Sequence, residues 1–284
     1  MKLKKILIAF ITIALSACGG GGGGGDTTAA SSGFSQTYSA SAAAGELMTY
    51  TINTTALTYS YTITKSSYGC EVANAACHSG TGTLTKNSDG TYSPSASPTS
   101  KIYALQNGLL VGSIQMTLNN VTQSVPILGV SSPVTSAADL AGTYNYMSLQ
   151  CTGKTYGLYT GCSTFNGTVT VNSNSTYTTC TGANISATPH VCSNTTSGTL
   201  TSIGGGIWAL QATSPAVGAA TNYFLGFQAP NGQKIAIVDF NDATVYGYGH
   251  TIASTLVATT AADVAGTYLW TNDYGQSGLS LIHI

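Results

Sequence analysis

The chain has 284 residues, with nine acidic side chains, eight lysines and no arginine. Binding nucleic acid means neutralising phosphates with Lys and Arg, so this composition argues against such a partner. Charged residues are only 6% of the chain. Surface helices carry Glu, Lys and Arg, so a chain this rich in Thr, Ser, Tyr and Val points to strands and an all-β fold.

At the N-terminus Lys2, Lys4 and Lys5 precede an apolar run from Ile6 to Leu15, broken only by Thr12. A charged n-region followed by a short h-region is a secretory signal peptide. The run is about half the roughly 20 residues that a bilayer-spanning helix needs. The next four residues, Leu15-Ser16-Ala17-Cys18, resemble the lipobox of bacterial lipoprotein signal peptides. That resemblance implies cleavage after Ala17 and diacylglycerol on the sulfur of Cys18, usually with a further acyl chain on the new amino group. Two or three chains give stable membrane attachment where one is marginal. Gly19 stands where an Asp would resemble a signal for retention in the inner membrane, so the resemblance implies the outer membrane of a two-membrane cell.

Seven glycines, Gly19 to Gly25, then open a stretch of small residues running to Gly33. Such a tether is a flexible coil with a reach of about 20 Å. A lipidated Cys followed by a glycine run is similar to the start of neisserial surface lipoproteins, which implies display at the cell surface.

Beyond the tether the chain repeats itself. At a shift of 85, Tyr59 and Tyr61 fall on Tyr144 and Tyr146, Cys77 on Cys162, Gly82-Thr83 on Gly167-Thr168, and Thr91-Tyr92 on Thr176-Tyr177. Ile102-Tyr-Ala-Leu-Gln106 then matches Ile207-Trp-Ala-Leu-Gln211 at a shift of 105, and Gln123 to Leu128 matches Gln233 to Val238 at 110. The steps place an insertion between Tyr177 and Ile207 and a shorter one near Ser214 to Asn222. Ser136-Ala-Ala-Asp139-Leu-Ala-Gly-Thr-Tyr144 recurs as Thr260 to Tyr268, after which 16 residues remain. A third copy therefore begins and stops, and Ser280 to Ile284 resembles a translated adaptor tail, so the chain is expected to be a fragment of a longer protein. The organisation is a signal peptide (1–17), lipidated tether (18–33), first repeat (34–133), second repeat with an insertion (134–257) and the start of a third (258–284).

Within each copy the signals are those of short antiparallel strands. Tyr59-x-Tyr61 and Tyr144-x-Tyr146 alternate with period 2, one face inward. Asn87-Ser-Asp-Gly90 and Asn231-Gly232 are hairpin turns in which the glycine supplies a positive φ. The Ser136-x-x-Asp139 pattern predicts a capped helical turn at the entry to the second repeat. Five or six strands are expected in the first copy and about eight in the second, arranged as tandem barrels or sandwiches. Gly142-Thr-Tyr144 followed by Gly167-x-Val-x-Val171 resembles the opening strands of lipocalin- or avidin-type barrels.

Besides Cys18 there are six cysteines. Cys77 and Cys162 are equivalent, and each has one earlier cysteine in its own copy, which pairs Cys70 with Cys77 and Cys151 with Cys162. Cys180 and Cys192, both in the insertion, are left to each other. Each of these short loops contributes about 2.5–3 kcal/mol in the chain-entropy model. The alternative ligand sets Cys70, Cys77, His78 and Cys180, Cys192, His190 lack the paired C-x₂₋₄-C spacing of structural zinc.

Elements of catalysis are absent: no Gly-x-Ser-x-Gly, phosphate loop or His-Glu-x-x-His occurs. Asp239 and Asp242 are the nearest carboxylates in sequence, and Asp239-Phe-Asn241-Asp242 reads as a turn in preference to a calcium site. Tyr246-Gly-Tyr-Gly-His250 reads as a strand whose glycines relieve crowding. The Cys180–Cys192 loop, added to the common core, is either a recognition loop or a cover for one barrel end. The expectation is a non-enzymatic, lipid-anchored outer-membrane protein without cofactor or metal, whose β repeats serve as a structural stalk or bind a partner. Its partners are the membrane and an extracellular protein or glycan; the alternative is a lipocalin-like carrier of a small apolar ligand.

Overall fold

The computed structural model describes residues 33–106, 108–118, 121–151, 162–181, 192, 194–213, 222–230, 232–242, 247–255, 266–271 and 277–282. Two closed antiparallel barrels of eight strands follow one another along the chain. The first is built from β1 (Ser35–Ala42), β2 (Glu46–Asn53), β3 (Thr58–Ser66), β4 (Ser79–Lys86), β5 (Tyr92–Pro94), β6 (Ile102–Ala104), β7 (Leu109–Leu118) and β8 (Val121–Val130). Pairing of β1 with β8 closes it. After a one-turn helix, α1 (Ala137–Leu140), come β9 (Gly142–Cys151), β10 (Cys162–Val171), β11 (Thr176–Thr181) and β12 (Asn194–Gly204). The second barrel continues with β13 (Ile207–Ala212), β14 (Asn222–Gln228), β15 (Lys234–Asp242) and β16 (Gly247–Thr255), and β16 closes onto β9. A hairpin of β17 (Gly266–Thr271) and β18 (Ser277–Ile282) follows.

The first copy thus has eight strands, more than the five or six its pattern suggests. The uncounted ones come first. β1 reads Ser-Gln-Thr-Tyr-Ser-Ala-Ser-Ala, and its inward residues are Tyr38, Ala40 and Ala42, all without exposed surface. Alanine on the inner face carries little hydrophobic signal, yet it is what lets the barrel wall approach the packed tyrosines.

The repeat is real but does not superpose strand for strand. The residue matches place β9 on β3, β10 on β4, β11 on β5, β13 on β6 and β15 on β8. The first barrel reaches eight strands by adding β1 and β2 in front. In the second, the insertion supplies β12, threaded between β11 and β13, and β16 is added at the end. The insertion is therefore a wall strand as well as a stapled connection.

Equivalence extends to single hydrogen bonds. In the first copy Asn87 Nδ2 donates to Thr91 Oγ1 at 2.9 Å, and Thr91 N donates to Asp89 Oδ1 at 3.0 Å. In the second, Asn172 Nδ2 donates to Thr176 Oγ1 at 2.9 Å, and Thr176 N to Asn174 Oδ1 at 3.3 Å. The turn's last residue has φ +82° at Gly90 but φ +65° at Ser175. A left-handed conformation costs a non-glycine residue about 1–2 kcal/mol, partly offset by the greater unfolded freedom of glycine. Ser175→Gly is expected to raise stability by about 0.5–1 kcal/mol, read as a higher urea midpoint. An unchanged or lowered midpoint would refute strain at this turn.

Disulfides join Cys70 to Cys77, Cys151 to Cys162 and Cys180 to Cys192. Cys151 and Cys162 face each other directly across the β9–β10 ladder.

The two barrels pack wall to wall. Strands β14 and β15 are apolar on both faces because each face is buried. Phe224 and Ala236 point into the second barrel, while Tyr223, Leu225, Phe227, Ile235 and Ile237 point out of it. The outward set packs on Leu47, Leu109, Leu128 and Val130 of the first barrel in one continuous apolar cluster. The Ala43-Ala44-Gly45 turn between β1 and β2 docks on the same wall, where Asn241 Nδ2 donates to the Gly45 carbonyl at 3.1 Å.

Candidate functional site

The interior of the first barrel is filled. Tyr38, Tyr50, Ile52, Ile102, Leu110, Val125 and Ile127 have no exposed surface, so nothing the size of a water molecule reaches them. The rings of Tyr50 and Tyr59 stack with centroids 5.7 Å apart.

The second barrel differs at its two ends. One end is sealed by the segment that enters it. Leu140 is buried over Gly226, where a Cβ would stand 2.1 Å from Leu140 Cδ2. Tyr144 Oη donates to the Leu140 carbonyl at 2.5 Å, Trp208 Nε1 to the Val134 carbonyl at 3.1 Å, and Lys234 Nζ to the Ala141 carbonyl at 2.7 Å. The predicted helical turn is present as α1, but the Ser136 side chain makes no capping bond. Leucine burial and carbonyl capture by Tyr144, Trp208 and Lys234 hold it instead.

Towards the other end, whose connections lie outside the described residues, inward Ser148 and Thr251 are buried and other inward positions are partly exposed. Strand register places Ser148 and Gln150 of β9, Ser163 and Phe165 of β10, and Thr179 and Thr181 of β11 on the inner wall, and Phe240 of β15 in the same row as Gln150, with Gly249 of β16 between them. Phe165 is 38% exposed although it faces inward, and Gln150, Thr181 and Phe240 are half-buried. Deeper in, Tyr146, Val169, Leu210 and Val238 are half-buried around the sealed core. A Cβ at Gly167 would stand 2.0 Å from the Cys180 carbonyl oxygen and 3.0 Å from Tyr146 Oη, which itself lies 2.8 Å from Thr181 Oγ1. Asp242 of β15 also stands at an inward register position at this end.

A second polar cluster lies where the barrels meet. Asp239 is fully buried on the outer wall of β15, and Ser41 Oγ of the first barrel donates to its Oδ1 at 2.7 Å. Its Oδ2 has no partner. Burial pushes the carboxyl up to about 7, a shift that the Ser41 bond opposes. Glu46, at the rim of the first barrel, accepts from Ser66 Oγ at 2.9 Å and leaves Oε2 unpartnered. Burial raises its pKa well above the usual carboxylate range, and Asp239 and Glu71 add to the rise. Asp239 faces Tyr223 on β14 and His250 on β16 in register, and burial holds the His250 ring down to about 4.

Several residues singled out from sequence take other places. Asp239 to Asp242 lies within β15, not in a turn, because the apolar alternation of Ile235 and Ile237 carries on through it. Tyr248 and His250 lie in β16, and Gly249 relieves crowding there, since a Cβ would meet the Leu149 carbonyl oxygen at 2.1 Å. His78 Nδ1 bonds the Cys70 carbonyl at 3.0 Å beside the Cys70–Cys77 bridge. No three His, Cys, Asp or Glu side chains converge on a metal-sized point among the described residues. Cys18, the glycine tether, His190, the interior of the Cys180–Cys192 loop, the Ser214 to Asn222 insertion up to 221, Tyr246 and the Thr260 to Asp263 repeat lie outside the described residues. Sequence reading passed over Ser41, Glu46, Gln150 and Phe165. The one available signal was the unbroken apolarity of Tyr223 to Phe227, which marks a strand covered on both faces.

No protein-family model matches this chain, and no curated protein does. Two solved structures align with it over much of its length. One is a protein of unknown function from the DUF3598 family of Nostoc punctiforme, with 9% identity, 78% of this chain and 94% of that one covered, and a TM-score of 0.29. The other is a mutant of the vaccine antigen Transferrin Binding Protein B from Haemophilus parasuis, with 9% identity, 77% and 65% covered, and a TM-score of 0.30. At these values neither likeness bears on function.

Proposed function

We propose that this chain is a non-enzymatic bacterial envelope lipoprotein, anchored through Cys18, whose second barrel takes a partner at the end away from α1. Anchoring is carried by Leu15-Ser16-Ala17-Cys18 behind a charged, apolar leader. Binding is supported by the asymmetry of the second barrel, sealed by Leu140 and Trp208 at one end and carrying the exposed inward residues Ser163 and Phe165 towards the other. Binding sites on rigid β scaffolds sit at such ends, held by the wall and varied by the connections. The hydroxyls, amide and phenyl rings described there supply recognition but no activated nucleophile, which favours binding over catalysis.

The carrier alternative, set in the second barrel, draws no support from that barrel's core, where Tyr144, Tyr177, Trp208 and Phe224 are buried against one another. Anchoring is tested by radiolabelled palmitate. Full-length protein is expected to take up label that Cys18→Ser loses entirely, with the variant released from the membrane fraction. Equal labelling of both proteins, or of neither, would overturn the anchor. Protease treatment of intact cells then separates surface display, where the barrels are cut, from a periplasmic position, where they survive.

A further inference from the structure

We propose that the contact between the two barrels is a proton-linked joint. It is closed while Glu46 and Asp239 hold their protons, and it parts at the β1–β2 turn, with both barrels intact, once they lose them. The turn Ala43-Ala44-Gly45 carries a polar residue on each side, since Ser41 pairs with Leu47 and Ala42 with Glu46. Ser41 Oγ donates to Asp239 Oδ1 at 2.7 Å, and Asn241 Nδ2 donates to the Gly45 carbonyl at 3.1 Å. A Cβ on Gly45 would stand 2.9 Å from the Phe240 carbonyl oxygen and 3.0 Å from Tyr248 Cβ, so the turn lies directly against β15 and β16. Both carboxyls are enclosed, and each leaves one oxygen, Glu46 Oε2 and Asp239 Oδ2, without a partner.

A carboxylate enclosed with an unpartnered oxygen gains by reaching water. Parting the turn from β15 hydrates both groups and gives up the Ser41 and Asn241 bonds and the Gly45 contact. Unfolding either barrel instead breaks a closed ladder of eight strands, so the local route is the cheaper one. The pivot is the far end of the apolar seam, where Phe227 and Ile235 pair four residues along the wall from Tyr223 and Asp239. Among the described residues, Tyr61, Lys65, Tyr68 and Glu71 border the joint from the first barrel, and Tyr223, Tyr248 and His250 from the second. Burial raises Tyr61, Tyr68 and Tyr223, which keep their protons. The His250 ring, held down to about 4, opposes the carboxyls in acid but is mostly neutral from pH 7 upward, joint open or closed. Burial lifts Asp239 to about 7 and Glu46 well above the usual carboxylate range. Groups raised in this way favour closure below their raised values and cease to favour it as pH rises through them.

The test uses the lipid-free full chain, Cys18→Ser, with its six other cysteines in disulfides and one added cysteine labelled by maleimide. Leu47→Cys reports the seam beside Glu46, Ile114→Cys the core of the first barrel, and Ile203→Cys an exposed site. Dividing by the Ile203→Cys rate removes the pH dependence of the thiol itself. Leu47→Cys is expected to label faster than Ile114→Cys, and its rate to rise by about tenfold or more from pH 7 to pH 9. Asp239 alone supplies about a twofold rise over that range. Glu46→Gln therefore leaves about a twofold rise, and Glu46→Gln combined with Asp239→Asn leaves none. Equal rates for Leu47→Cys and Ile114→Cys overturn the joint, because the seam then opens only by unfolding. A rise that survives in the combined variant overturns the two carboxyls as its trigger, and a flat rate without those substitutions overturns the whole inference. Val130→Cys, elsewhere in the same seam, repeats the measurement should Leu47→Cys fail to fold.

Discussion

Replacing Asp239 by asparagine is expected to stabilise the folded chain at pH 8 and to remove the fall in stability that Asp239 contributes between about pH 4 and 7. Asp239 sits without exposed surface in the apolar seam between the barrels, and its folded pKa of about 7 lies above the unfolded value near 3.9. A carboxyl raised in this way keeps its proton in the folded state where the unfolded chain has lost it. Stability is therefore greatest below the unfolded pKa, falls as pH rises through the window between the two values, and is level again above about 7. The full fall is on the order of 4 kcal/mol. Asparagine keeps an oxygen for the Ser41 hydroxyl and carries no charge, but it puts an amide N–H₂ where Oδ2 has no partner, at about 1–3 kcal/mol. The net gain at pH 8 is then about 1–3 kcal/mol. Urea unfolding of both proteins from pH 4 to 8 reads it. Because Glu46 shifts in the same direction, and His250, held down to about 4, works against both between about pH 4 and 6.5, the wild-type profile alone does not isolate Asp239; the difference between the two curves does. Parallel curves would refute the assignment.

The effect depends on an interface that could not be read from the chain. Period-2 alternation reveals one face of a strand turned to a core, and Tyr59-x-Tyr61 and Tyr144-x-Tyr146 announced theirs. The same alternation cannot say that a second barrel covers the other face. Tyr223 to Phe227 is apolar at every position but Gly226, which reads equally as a central strand of a sandwich or as a wall between two barrels. Asp239 then looks like a polar break suited to a turn, because a carboxylate in such a run is costly unless something across the seam receives it. That something is Ser41, 198 residues earlier, and no local pattern connects the two. The repeat made the all-β class and the three cysteine pairs legible, since matched residues carry matched geometry down to the Asn87 and Asn172 turns. It hid the strand count, because identities link β9 to β3 and leave β1, β2, β12 and β16 without counterparts. The exposure of Phe165 was hidden for a similar reason: it stands where the first copy has Gly80, and whether an inward ring is covered depends on closure, not on composition.

The β16–β9 pairing that closes the second barrel passes through Gly249, and Gly249→Ala is expected to cost about 2–6 kcal/mol. Gly249 has φ +135° on β16, opposite Gln150 of β9. A Cβ there would stand 2.1 Å from the Leu149 carbonyl oxygen and 3.2 Å from Gln150 Cα, both backbone, so no side chain can turn aside to admit it. Two costs add. The positive φ is worth about 1–3 kcal/mol to any other residue, and prising the β16–β9 ladder apart is worth about 1–3 kcal/mol more. Gly232→Ala separates them: Gly232 has φ +84° in the β14–β15 turn with nothing within 4 Å of a Cβ, so it carries the first cost without the second. If Gly249→Ala unfolds at the same urea concentration as Gly232→Ala, the carbonyl contact is not what limits that strand pair. If it unfolds markedly earlier, the outer face of β16 is displaced with it. Tyr248, tilted against Tyr68 at 6.5 Å, belongs to that face, so the seam between the barrels loosens as the second barrel opens.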